Sequence, residues 1–296
     1  MTPKKRHLLG LSQSGFHRIA YREWGQPDAA RTAVCVHGLT RNGRDFDVLA
    51  VTLAEAGWRV ICPDVVGRGD SDWLGDGADY GYPQYLQDMT ALLARLDVEQ
   101  VDWIGTSMGG LIGMMLAASG GHPVGRLVIN DVGPLIPKAA LERIADYVGR
   151  SWVFADRRAA LEHVMKAYSG FGDLSEAQWS KLADDSLQAA PDGGFRPNYD
   201  PRIGEAFVGQ PLEDVDLWPV WDRITCPVLL LRGAESDLLT AETAREMTRR
   251  GPATEIVEIA GAGHAPALLS AFERETIRDW LTGAVRVPKG SALPSA

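Results

Sequence analysis

VDWIGTSMGGLIGMMLAASGG, residues 101–121, changes its periodicity half-way along. Val101, Trp103 and Ile104 read as a short buried strand, whereas Leu111, Met114, Met115 and Ala118 recur at the 3.6-residue period of a helix. Ser107 stands at the junction, crowded by Gly105, Gly109 and Gly110. Glycines here let strand and helix pack closely around a sharp turn. The Gly105-Thr106-Ser107-Met108-Gly109 spacing, between a strand and a helix, is that of a strained turn that projects its serine hydroxyl. A glycine-rich turn with an incidental capping serine has the same composition, but the strand before and the helix after favour a nucleophile.

Outward from this turn, strand and helix signals alternate. Apolar runs at 32–36, 59–62, 126–129, 228–231 and 255–259 are each followed by glycine or aspartate and then, in most cases, a helical pattern. Such alternation predicts a mostly parallel sheet covered by helices on both faces. One covering helix is expected over 85–96, with Leu86, Met89, Leu93 and Leu96 on one stripe. The alternating segment HRIAYREWG, from His17, reads as an antiparallel edge, and the Pro-, Ser- and Ala-rich tail after Val287 as frayed.

Between Pro134 and Arg223 the alternation stops. Leu141, Ile144 and Val148, then Leu161, Val164, Met165 and Tyr168, give helical stripes without strand runs, and Ser175 with Gln178 is spaced as a capping box. The expected organisation is a core of residues 1–133 and 224–296 interrupted by a helical cap, 134–223. A segment that leaves and re-enters between core strands belongs over their carboxyl ends, where ligands of such sheets bind.

Composition excludes several classes of function. The chain has 296 residues, is 45% hydrophobic and 23% charged, and carries a formal net charge of −9. Without a dense basic patch that charge disfavours nucleic acid and anionic membrane as partners. Cys35, Cys62 and Cys226 lie in or beside apolar runs and read as reduced, buried thiols, which together with the absence of a signal-like or membrane-spanning run predicts a cytoplasmic protein. No metal-ligand cluster, phosphate loop or nucleotide fingerprint is seen, so neither metal nor cofactor is expected.

Four stretches together carry a family resemblance: VCVHGLTRN with His37-Gly38, PDVVGRGDSD with Asp64, Gly67, Gly69 and Ser71, the serine turn, and GAGHAP with His264. From about His17 to Leu281 the sequence resembles the α/β-hydrolase superfamily, in particular its capped carboxylesterases and meta-cleavage-product hydrolases. The resemblance implies an eight-stranded, mostly parallel sheet and a Ser-acid-His triad in that chain order. His264 follows the last strand-like run and is the base. For the acid, Asp237 follows a buried strand where the family commonly places it, although Gly233-x-x-x-Asp237 is one residue longer than the usual Gly-x-x-Asp; Asp131, also at a strand end, is the alternative. Asp237 is favoured on the family's usual placement. The backbone N–H groups of Leu39 and Met108 are the implied oxyanion hole, and His37 is expected to order backbone rather than move protons. Arg41 and Asn42 read as a polar loop and helix start.

These assignments predict a serine carboxylesterase acting on small to medium, largely apolar esters through an acyl-enzyme. A small-molecule ester is the expected partner, and the cap aromatics Trp152 and Trp218 are candidate substrate contacts. A carbon-carbon bond hydrolase or lactonase is the alternative within enzymes. A non-catalytic receptor on the same fold is the alternative outside them. A carboxylate nucleophile, as dehalogenase or epoxide-hydrolase chemistry would need, is not present at position 107.

Overall fold

A computed structural model describes residues 1–191, 193–207 and 211–284. The tail after Val287 lies outside the described residues. The strands are β1 (Lys4–Ser12), β2 (Gly15–Trp24), β3 (Arg31–Val36), β4 (Trp58–Pro63), β5 (Val101–Thr106), β6 (Val124–Asn130), the short β7 (Leu135–Ile136), β8 (Leu187–Ala189), β9 (Phe195–Pro197) and β10 (Val215–Asp216), then β11 (Val228–Gly233) and β12 (Thr254–Ile259). Eight of them form one sheet in the order β1-β2-β4-β3-β5-β6-β11-β12. From β4 through β12 every pairing is parallel, and β2 is antiparallel to both β1 and β4. The expected mostly parallel, eight-stranded α/β sheet is therefore present. The antiparallel edge is β1 rather than the segment from His17, which becomes the second strand. Its first residues are exposed, with only Leu8 and Gly10 buried, so the apolar signal there is too thin to read as a strand.

Helices α1 (Asp47–Glu55), α2 (Tyr82–Leu96), α3 (Met108–Ala117), α8 (Ala241–Met247) and α9 (Ala271–Thr282) accompany the sheet, and α4 (Lys138–Ala145), α5 (Arg157–Ala167), α6 (Glu176–Ser186) and α7 (Trp218–Trp221) lie in the segment between β6 and β11. The sheet separates two apolar clusters. Val34, Trp103, Met89 and Ile112 belong to one, and Cys35, Ile104, Leu53 and Trp280 to the other, so neighbouring residues of one strand point to opposite faces. Helix α2 starts at Tyr82, with Pro83 in its first turn where a missing N–H costs nothing, and buries Tyr85, Met89, Leu92 and Leu96. Cys35, Cys62 and Cys226 are buried free thiols.

The intervening segment contains the expected helical stretches. The capping box at the start of α6 is formed in full, the Ser175 hydroxyl accepting from the Gln178 backbone while the Gln178 side chain accepts from the Ser175 N–H. Two small antiparallel ladders, β7 with β10 and β8 with β9, are additions to the strandless expectation. Runs of two or three residues are too short to show a period.

The segment is fastened to loops at the carboxyl ends of three core strands. Asn42, after β3, donates from Nδ2 to the Asp185 carbonyl at 2.7 Å. Gly69, after β4, donates its N–H to the Asn198 carbonyl at 3.0 Å, and Gly263, after β12, donates to the Gly170 carbonyl at 2.8 Å.

Candidate active site

Ser107 is where the sequence break places it, between β5 and α3, with φ of 51° and ψ of −114°. That region is costly for any residue with a Cβ and persists only when its surroundings enforce it. Two glycines do so. A Cβ on Gly105 would lie 2.2 Å from the Gly109 carbonyl oxygen, and one on Gly109 would lie 2.0 Å from the Val36 carbonyl oxygen. The close packing of β5, α3 and β3 thus needs glycine at both positions, and it turns the serine out of the chain path.

The imidazole of His264 meets this hydroxyl. Its Nε2 lies 3.0 Å from Ser107 Oγ, and its Nδ1 lies 2.7 Å from Asp131 Oδ2. A carboxylate only accepts, so Nδ1 carries the proton and Nε2 is free to accept from the serine. Asp131 is fully buried and sits just after β6 with φ of 59°, a second strained residue beside the first. Its Oδ1 accepts from the Gly233 N–H at 2.8 Å, and its Oδ2 also accepts from the Ser236 hydroxyl at 2.6 Å. The carboxylate is therefore bonded on both oxygens, which locks its orientation toward the imidazole.

The acid favoured from sequence is corrected here. Asp237 points away from His264: its side chain is 55% exposed and makes a two-pronged ion pair with Arg143, at 2.7 and 2.9 Å. The reason is the longer spacing. Three residues after Gly233 stands Ser236, whose hydroxyl donates to Asp131. The turn after β11 thus supplies a donor to Asp131, and the extra residue carries Asp237 out to the surface.

His37 orders backbone, as expected. Its Nδ1–H donates to the Gly38 carbonyl at 2.7 Å and its Nε2 accepts from the Val65 N–H at 2.9 Å. Burial, together with the nearby charges of Arg68 and Arg41, outweighs the Gly38 hydrogen bond and holds the imidazole's pKa down at about 3. It is neutral wherever the enzyme would work. The Gly38 carbonyl and the Leu39 N–H belong to one planar trans peptide and point in opposite directions. Anchoring one aims the other. Met108 opens α3, so its N–H has no carbonyl a turn earlier to bond and sits at the positive end of the helix.

Arg41 and Asn42 are the helix start that the sequence suggested. The Asn42 side chain caps the 3₁₀ turn Gly43–Phe46, and the buried Arg41 pairs with Asp45 and donates to Ser186 of the inserted segment. Arg41 also stacks on Tyr168, its guanidinium carbon 4.5 Å from the ring centre, while the Tyr168 hydroxyl lies 3.1 Å from that of Thr40. The aromatic rings against the site loops are thus Tyr168 and Phe171. Trp152 packs on His163 and Phe154, with ring centres at 4.7 and 6.3 Å, and Trp218 lies beneath Arg250 at 4.7 Å. Both tryptophans have packing partners of their own within or beside the inserted segment. Tyr168 lies just past the end of α5, where its stripe position says nothing of its polar contacts.

The turn Ser169–Phe171 presses directly on the histidine loop. A Cβ on Gly170 would stand 2.9 Å from the His264 carbonyl oxygen and 3.2 Å from its nitrogen, and the Phe171 carbonyl accepts from the Ala267 N–H at 3.1 Å. Gly170→Ala should therefore push the His264 backbone and lower kcat by about tenfold to a hundredfold, because a misplacement on the order of 1 Å in a catalytic group costs that much. Steady-state kinetics beside a melting curve checks this: unchanged kcat would mean that the inserted turn yields rather than the histidine loop.

Comparison with known proteins places this geometry. A family model for the alpha/beta hydrolase family matches residues 33–275. The chain belongs to the α/β-hydrolase family. It is 42% identical over 291 residues to a 3-hydroxybutyrate-oligomer hydrolase of Cupriavidus necator, the match covering 96% of this chain and 99% of that one. The crystal structure of an alpha/beta hydrolase from Novosphingobium aromaticivorans superposes with a TM-score of 0.84 at 38% identity, over 95% of this chain and 99% of that one. The structure of E-2-(acetamidomethylene)succinate hydrolase shares the fold, with a TM-score of 0.78 at 23% identity over 94% of this chain and all of the other. Among the described residues, no helix of this hydrolase is long and apolar enough to cross a membrane.

Proposed function

We propose that this hydrolase cleaves short oligoesters of 3-hydroxy acids, and simple short-chain carboxylic esters, with Ser107 as nucleophile, His264 as base and Asp131 as the acid that orients it. The observation that carries the reading is the unbroken chain from Ser107 Oγ to His264 at 3.0 Å and from His264 to Asp131 at 2.7 Å. His264 takes the serine proton as Oγ attacks the ester carbon, and the oxygen that gains charge is received by the N–H groups of Leu39 and Met108. His264 then returns the proton to the leaving alcohol, and a water activated at the same nitrogen releases the acid. Asp131 holds the Nδ1–H and stabilises the imidazolium.

The hydroxyacid preference is supported by the near full-length likeness to a 3-hydroxybutyrate-oligomer hydrolase. The polar contacts beside the oxyanion loop also support it. The inserted segment brings Tyr168 beside Thr40 and Arg41 at the oxyanion loop. The inserted segment, 134–223, is read as the cap that sets specificity, since the sheet alone recognises any acyl carbon.

The test is direct. Dimers and trimers of 3-hydroxybutyrate, incubated with the protein and separated by chromatography, should yield monomer, and p-nitrophenyl butyrate should also turn over. The Ser107→Ala variant should do neither. Turnover of butyrate esters without oligomer cleavage would overturn the substrate assignment, and turnover of dienoate ketones alone would overturn ester hydrolysis itself.

A further inference from the structure

Among the described residues four arginines are buried: Arg22, Arg41, Arg68 and Arg232. Three have carboxylate partners, Arg22 with Asp64 and Asp70, Arg41 with Asp45, and Arg232 with Glu258. Arg68, fully buried, has no carboxylate partner among the described residues. Its Nε donates to the Leu39 carbonyl at 2.9 Å, its Nη1 donates to the Val66 carbonyl at 2.7 Å, and its Nη2 lies 3.8 Å from Met108 Sδ. The rings of Tyr85 and Tyr80 flank the guanidinium at 5.0 and 5.7 Å. Carbonyl dipoles and aromatic faces soften the cost of burying a cation but do not cancel its charge.

The residues that Arg68 touches on the serine side are Leu39 and Met108, the two whose N–H groups are read as oxyanion donors. We propose that Arg68 is a positioning residue for catalysis whose missing counter-charge is the oxyanion itself. This rests on the reading of Ser107 as nucleophile. The ester ground state brings no negative charge to the carbonyl oxygen, and the tetrahedral intermediate brings nearly a full one. A buried cation behind the donors therefore favours the intermediate over bound substrate, which is what raises kcat. Full burial denies substrate any direct contact with the guanidinium. It acts through its field and by anchoring the Leu39 carbonyl, one peptide group on from the Leu39 N–H.

The charge can be separated from the structural role with two ketone inhibitors, one that adds the serine and one that does not. A trifluoromethyl ketone adds Ser107 to form an anionic hemiketal, while the matching methyl ketone binds largely unreacted. Arg68→Gln should weaken the trifluoromethyl ketone by about 30-fold or more and the methyl ketone by no more than about threefold, with the loss in turnover falling on kcat rather than KM. Arg68→Lys, which keeps the charge but not the fork of donors, should hold the ratio of the two affinities within about threefold of wild type. Equal weakening of both inhibitors by Arg68→Gln, or a fall in Arg68→Lys as deep as in Arg68→Gln, would show a structural role only and overturn the proposal. If Arg68→Gln does not fold, Arg68→Met takes its place, and equal weakening of both inhibitors again counts against the proposal. Labelling of wild-type Ser107 by a fluorophosphonate, located by mass spectrometry, is run alongside. An unlabelled serine would sink the nucleophile reading and this inference with it, whereas a labelled serine with an unchanged inhibitor ratio sinks this inference alone.

Discussion

Ser107→Ala and His264→Ala should each lower kcat by about 10⁴-fold or more, and the double variant should be scarcely slower than either single one. The reason is the hydrogen bond of 3.0 Å between them. A serine hydroxyl is a weak nucleophile until its proton has somewhere to go, and His264 Nε2 is the acceptor within reach. Removing either partner removes the same event, so the second substitution has little left to remove. The residual rate should come from the N–H groups of Leu39 and Met108, the proposed oxyanion donors, when water attacks directly. Both variants should keep the fold, since neither side chain anchors the core: Ser107 is fixed by the glycines around it and by its N–H on the Asn130 carbonyl at 2.9 Å. Kinetics of the two single variants and the double one, at equal melting temperature, checks this. Losses that multiply would mean that serine and histidine act in different steps.

The parts of this molecule legible in sequence are those fixed by local pattern. The elbow at Ser107 was legible because a strand period, two sterically required glycines and a helix period meet within a few residues. The capping box of α6 was legible for the same reason. The acid was not, because its identity depends on which of two strand ends faces His264. Asp131 and Asp237 each follow a core strand and keep the chain order, and nothing within either stretch reports on the imidazole. The one local clue was the spacing after Gly233, which puts Ser236 where the acid commonly stands. Arg68 was illegible for a different reason. A lone arginine in PDVVGRGDSD reads as a loop cation, and only the packing of Tyr80, Tyr85, Leu39 and Met108 around it reveals a buried charge with no carboxylate partner among the described residues. Trp152 and Trp218 show the converse: aromatic content marks packing as readily as it marks a pocket.

Asp131→Asn should reduce kcat by about 10³- to 10⁴-fold, while Asp237→Asn should change it by no more than about threefold. Asp131 accepts from His264 Nδ1, from Gly233 and from Ser236, so its site presents donors to both carboxylate oxygens. An asparagine there can satisfy the Gly233 N–H with its oxygen, but then it turns an NH₂ toward the imidazole. That favours the tautomer with the proton on Nε2, where it can no longer accept from Ser107. The loss should fall on kcat, since substrate does not touch the buried carboxylate. Asp237, by contrast, faces solvent with Arg143, their side chains 55% and 43% exposed. Neutralising it removes a screened surface pair that contributes about 1 kcal/mol or less to stability. The two variants, assayed side by side on p-nitrophenyl butyrate, separate the assignments. A collapse of activity in Asp237→Asn with near-normal turnover in Asp131→Asn would return the acid to the turn after β11, and would require His264 to leave the hydrogen bond it makes here.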